Sequence, residues 1–260
     1  MQRSQVLTII IFLSLFSILY FGCDNISSKQ KALEKSRAQN LELINIDRIK
    51  NEAIQGLTDS NRVLVGNLLD SLKIVNSDSG KQRIYEQLAS LWFSQNQPLI
   101  SADYAEKIAE LSNNEEAWQI TGTSYLIAAQ RLQDERKKTH AIQKSRKALE
   151  KALSLNSDNI ENRINLALSY VEAPLEENPM KGILMLLDLN KEFPDNTSVL
   201  IQLGRLALGT NQLDKAVERL TRVVELEPDN RQAHCYLEEI YTKQGKTEQA
   251  EIERKICEIK

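Results

Sequence analysis

Two short strings, "EFPDN" (192–196) and "ELEPDN" (225–230), place Pro194 and Pro228 34 residues apart. Between them the chain reads TSVLIQLGRLALGTNQLDKAVERLTRVVELEPDN (197–230). No other feature of the sequence limits its fold as strongly. Leu200, Leu203 and Leu220 supply large apolar side chains at helical spacing, and the small residues Gly204 and Ala216 let two antiparallel helices come close around them. Pro228 stops the second helix, and Asp229 or Asn230 can cap the next one. Such a pair leaves an apolar face open on its own, so pairs must stack.

The register extends in both directions. Residues 231–260 carry Leu237, Tyr241, Gly245 and Ala250 in the matching positions. Upstream, 160–196 carries Leu166, Ala167, Tyr170, Gly182, Leu186, Leu189 and Pro194, with three extra residues around Pro174 to Pro179. Residues 115–159 carry Trp118, Gly122, Tyr125, Ser145, Leu149 and Ala152, with 11 extra residues attributable to the charged stretch RLQDERKKTH. Residues 82–114 carry Tyr85, Leu88, Ala89, Trp92, Ser101 and Ile108. Scarce glycine (9) and proline (5) and a high charged fraction (27%) suit helices packed on helices.

The pattern of Leu200, Leu203-Gly204, Ala207, Ala216, Leu220, Val223 and Pro228 resembles the tetratricopeptide repeat (TPR), with Ala207 in a slot where that family prefers an aromatic. The resemblance covers five consecutive units, 82–114, 115–159, 160–196, 197–230 and 231–260. It implies an all-α chain, an α-solenoid in which antiparallel helix pairs stack into a superhelix. Residues 41–80 have helical apolar spacing without the repeat's slots and read as N-terminal capping helices, with a degenerate sixth repeat as the alternative.

The resemblance also implies a concave groove lined by positions 2, 5, 9, 12 and 13 of each unit. Its apolar members are Phe93, Leu126, Ile164, Leu168, Val171, Ile201 and Leu208, with Arg205 among them. Either this strip receives an amphipathic helix or extended segment of a protein partner, or the superhelix and the N-terminal helices bury it. Peptide-gripping co-chaperones of the family use Lys and Asn at positions 5 and 9 of one unit, and no unit here has that pair.

At the amino terminus, Arg3 precedes Val6 to Phe21, a 16-residue run that is apolar but for Thr8, Ser14 and Ser17. As a helix it would span roughly 24 Å, short of the ~30 Å hydrocarbon core, so it reads as a signal peptide over 1–22. Gly22-Cys23 at its end resembles a bacterial lipoprotein signal. That family is cleaved before the cysteine, which implies lipidation at Cys23 and attachment to a membrane of the cell envelope. An uncleaved signal anchor is the alternative, and neither the membrane nor its leaflet follows from the sequence. The polar stretch to Asn40 reads as a tether (23–40).

Phosphate-binding, zinc-protease and serine-hydrolase motifs are absent. His140 and His234 have no neighbouring ligand set, so no metal or cofactor is expected, and the chain does not read as an enzyme. A net charge of −3 without a basic face argues against nucleic acid. Cys235 and Cys257 are either two small residues in a helix seam or a disulfide across the last helix pair. The function expected is a membrane-anchored protein–protein scaffold or adaptor in the bacterial envelope. The alternatives are a carbohydrate-capturing nutrient lipoprotein, or more specifically an outer-membrane assembly factor or a pilotin for secretion or pili.

Overall fold

The computed structural model describes residues 44–258. The segments expected as signal and tether, with Cys23, lie outside the described residues. Within them run twelve helices: α1 (Ile46–Gln55), α2 (Asp59–Ile74), α3 (Asp78–Ser94), α4 (Pro98–Ser112), α5 (Glu115–Arg131), α6 (Glu135–Leu155), α7 (Ile160–Glu172), α8 (Lys181–Glu192), α9 (Thr197–Gly209), α10 (Leu213–Leu226), α11 (Arg231–Lys243) and α12 (Thr247–Cys257). From α3 onward they form five pairs, each packed antiparallel and stacked on the next, an α-solenoid. Among the described residues there is no strand, only one isolated bridge between Leu175 and Asn178. No described helix is long and apolar enough to cross a membrane.

The start of each unit is written locally. Asn114, Asn159, Asn196 and Asn230 precede α5, α7, α9 and α11, and each side-chain oxygen accepts from the backbone N–H three residues on. That bond satisfies one of the donors a helix leaves open at its first turn. Asn230, not Asp229, therefore caps α11. Within units, Asn96, Asn211 and Gly245 occupy equivalent turn positions with φ of 55°, 58° and 71°. Only glycine and, less easily, asparagine adopt that left-handed backbone at low cost.

Close approach explains the small residues. A Cβ on Gly122 would lie 2.5 Å from Leu149 Cγ, and one on Gly204 would lie 2.8 Å from Leu220 Cγ. Gly122 and Gly204 hold the same position in the second and fourth units. On Gly182 a Cβ would lie 2.5 Å from the Ala167 carbonyl oxygen, so α8 rests on the backbone of α7.

The irregular parts also find places. Asp134 caps α6, which begins at Glu135, so most of the charged insertion becomes an N-terminal extension of that helix. At the N-terminal end α2 packs beside α3, while α1 reaches across to α4. Covered on that side as well, α4 buries Pro98 through Ala105 and Ala109.

Candidate interaction face

The first helices of the pairs, α3, α5, α7, α9 and α11, carry the residues expected to line a groove. Burial divides them. Leu126, Ile164, Leu168, Ile201 and Leu208 are all under 9% exposed. Leu126, Ile164 and Leu168 pack together with Leu186, Leu189, Val199 and Leu203. Ile201 and Leu208 pack with Leu220, Ala233 and Leu237. A continuous exposed apolar strip is thus replaced by a closed seam, because adjacent first helices lie close enough for these side chains to meet one another. Val171 and Arg205 are half-buried, the latter donating from Nε to Gln202 Oε1 at 3.1 Å. Phe93 alone of the eight is exposed, and the Arg131 guanidinium lies 5.0 Å from its ring centroid.

Polar bonds reinforce the α5–α7 seam. Asn159 Nδ2 and Asn162 Nδ2 donate to Glu115 Oε1 at 2.7 and 2.6 Å. Asn165 donates to Thr123 at 3.3 Å, and Gln130 donates to Glu172 at 3.4 Å. Asn162 is fully buried, and Glu115 supplies the partner that its Nδ2 needs there. Sequence reasoning missed this, since Glu115 and Asn162 stand 47 residues apart.

Two open hollows lie toward the N-terminal end. A trough of about 750 Å³ runs between α2 and α3, lined by Asn61, Leu64, Leu68, Arg83, Glu86 and Ser90. A second cleft of about 420 Å³ lies among α3, α4 and α5, lined by Glu86, Ala89, Ile108, Glu116, Ile120 and Ser124. Glu86 belongs to both. Around them Val63, Leu64, Phe93 and Ile120 are exposed, which makes a mixed apolar and charged surface.

A buried polar cluster sits behind this face, with no part of it foreseen. Lys50 Nζ meets Asp103 Oδ2 at 2.6 Å and lies 4.6 Å from the Tyr104 ring centroid. Tyr125 donates its hydroxyl to Glu106 Oε2 at 2.7 Å, and Lys144 Nζ binds both Glu106 oxygens at 2.8 Å. Burial, then the Glu106 carboxylate, push the Tyr125 pKa far above its ordinary value, so the hydroxyl keeps its proton. His140 is buried too; loss of solvent and the nearby Lys144 lower its pKa. These groups tie α1, α4, α5 and α6 together and expose no nucleophile. Among the described residues no three His, Cys, Asp or Glu side chains gather as a metal would require.

At the other end, Cys235 and Cys257 are joined as a disulfide with their Cα atoms 4.8 Å apart. Of the two readings left open by the sequence, the structure holds the staple.

Residues 197–230 match the family model of the tetratricopeptide repeat. The fold is an α-solenoid of stacked helix pairs, in which α9 and α10 form the matched repeat. Among solved structures, MamA from residue 41 onward of Desulfovibrio magneticus RS-1 is 16% identical, with a TM-score of 0.44, over 68% of this chain and 94% of that one. YrrB, described as a TPR protein with an unusual peptide-binding site, is 19% identical with a TM-score of 0.38, over 73% of this chain and 90% of that one. No curated protein matches the sequence.

Proposed function

We propose that the chain is an interaction scaffold held at a bacterial envelope membrane through a lipid on Cys23, and that it docks a protein partner on its first-helix face. The observation that supports docking is the open trough between α2 and α3, lined by the exposed Leu64, with the exposed Phe93 adjoining its lining residue Ser94 on α3. Exposed apolar groups at an open trough favour a partner with an apolar face, while Arg83 and Glu86 offer it orienting charges. The buried part of the first-helix face contributes shape alone. The anchor reading rests on the Val6–Phe21 run ending at Gly22-Cys23.

Crosslinking in native membranes, followed by identification of the captured protein, tests docking. Leu64→Glu with Phe93→Glu removes the apolar rim and is expected to abolish capture with far-UV circular dichroism unchanged; undiminished capture refutes the trough. Fatty-acid labelling is expected to mark the chain and to spare Cys23→Ser, and equal label in both rules out the anchor.

A further inference from the structure

The last helix is attached differently from the second helix of every pair before it. Helix α10, the second helix of the preceding pair, buries Ala216, Leu220 and Val223, whereas α12 buries only Ala250. No α12 side chain joins any apolar cluster of the described residues. Apart from the buried Ala250 and the half-buried Ile256, α12 is joined to α11 by polar bonds. His234 Nδ1 lies 2.5 Å from Glu253 Oε2, and its Nε2 lies 2.9 Å from the Pro228 carbonyl oxygen. Arg254 meets Glu238 at 3.0 Å, and Arg231 Nε donates to the Cys257 carbonyl at 2.6 Å. The Arg254 and Arg231 contacts, with part of their surface in water, each shift the equilibrium by only about a few-fold, and His234–Glu253 is the one enclosed pair among them. A helix of 11 residues is also too short to persist by itself.

The covalent link is a larger effect. Cys235 and Cys257 close a loop spanning 22 residues, and tying a loop of that length favours the docked state by roughly a hundredfold. Both cysteines are half-buried, so a small thiol reaches them from solvent. We propose that α12 is a redox-released element, docked on α11 while Cys235 and Cys257 are joined and undocked once they are reduced. The reductant is a dithiol. Its thiolate attacks one sulfur, the Cys235–Cys257 bond breaks, and the departing cysteine takes a proton. The reductant's second thiol then breaks the mixed disulfide, leaving two cysteine thiols and an oxidised reductant, a transfer of two electrons and two protons in all. Release uncovers His234 and Glu238 on α11, while Leu237, Ile240 and Tyr241 stay packed toward α9 and α10.

Hydrogen–deuterium exchange on the full chain, with and without dithiothreitol, reads this directly. Amides of α12 are expected to exchange about a hundredfold faster after reduction, with α9 and α10 unchanged. The Cys235→Ser/Cys257→Ser double variant should behave as the reduced chain without any reductant. Unchanged protection of α12 would mean that packing holds it, which defeats the proposal. Loosening of α9 to α11 together with α12 also defeats it, because the bond would then be a global staple. So would full thiol labelling of the native chain before reduction.

Discussion

Lys50 on α1 reaches Asp103 on α4 at 2.6 Å, with the two side chains only 12% and 11% exposed. A helix that contributes no fully buried residue of its own is thereby tied to the most enclosed helix of the array. Neither charge can return to water while α1 stays in place, so each depends on the other.

Removing one partner should therefore cost more than removing both. Asp103→Leu, which strands the Lys50 ammonium, is expected to destabilise the fold by about 3 kcal/mol, whereas adding Lys50→Met should recover most of that loss. Urea midpoints of the two variants provide the comparison. A double variant at least as unstable as the single would show that the pair adds nothing beyond ordinary contacts.

Gly182 should tolerate no side chain. Its added Cβ meets the Ala167 carbonyl and the Val171 amide, both backbone, whereas the Cβ of Gly204→Ala meets only the side chain of Leu220. Gly182→Ala is expected to lose about 1–3 kcal/mol despite alanine's better helix propensity, and Gly204→Ala appreciably less. Thermal melts showing the reverse order would contradict the close packing of α8 on α7.

Stability should fall in mild acid in part through His140. Its folded pKa is lowered, first by burial and then by Lys144, against the opposing pull of Glu106 and Asp103. Below its ordinary value of about 6.5 the unfolded chain binds a proton that the folded chain refuses, so stability declines as pH drops toward the folded value. His140→Gln is expected to weaken this dependence between pH 7.5 and 5.5. Parallel stability–pH curves for the two proteins would remove His140 from the account.

Leu168 and Phe93 should respond oppositely to the same change. Leu168→Glu buries an unpaired carboxylate and is expected to cost at least about 3 kcal/mol, seen as loss of far-UV helical signal well below the normal melting temperature. Phe93→Glu at a half-exposed site should stay within about 1 kcal/mol, losing chiefly the Arg131 contact. Matching losses at both sites would mean that the seam is not closed as described.

Spacing revealed the units because a stacked array repeats its demands. Pro194 and Pro228 recur at one period, and Gly122 and Gly204 hold one position within their units, so each supports the others. The division between seam and groove could not be read that way. Whether Leu168 faces a partner or Ile164 and Leu126 depends on how closely neighbouring first helices approach, and spacing within one helix is silent on that. The Lys50–Asp103 pair and the Glu106–Tyr125–Lys144 cluster were hidden for a related reason. Charged residues on helices ordinarily face water, and only the lie of α1 across α4 turns these inward. The four asparagine caps were within reach, since an Asn stands just before each of four first helices. Their recurrence is obscured by insertions that change its spacing.

Those caps have a consequence for how such a chain can change its length. Because Asn196 and Asn230 each begin a helix using only bonds within the next three residues, the 34 residues from Asn196 to Asp229 carry their own start, turn and stop. Copying that segment in tandem would insert one more helix pair whose two flanks match the surfaces already there. The array is in this sense a ruler with removable divisions: its length can be reset by whole units while the two ends, strapped by α1 and clasped by the disulfide, keep their own separate terms of attachment.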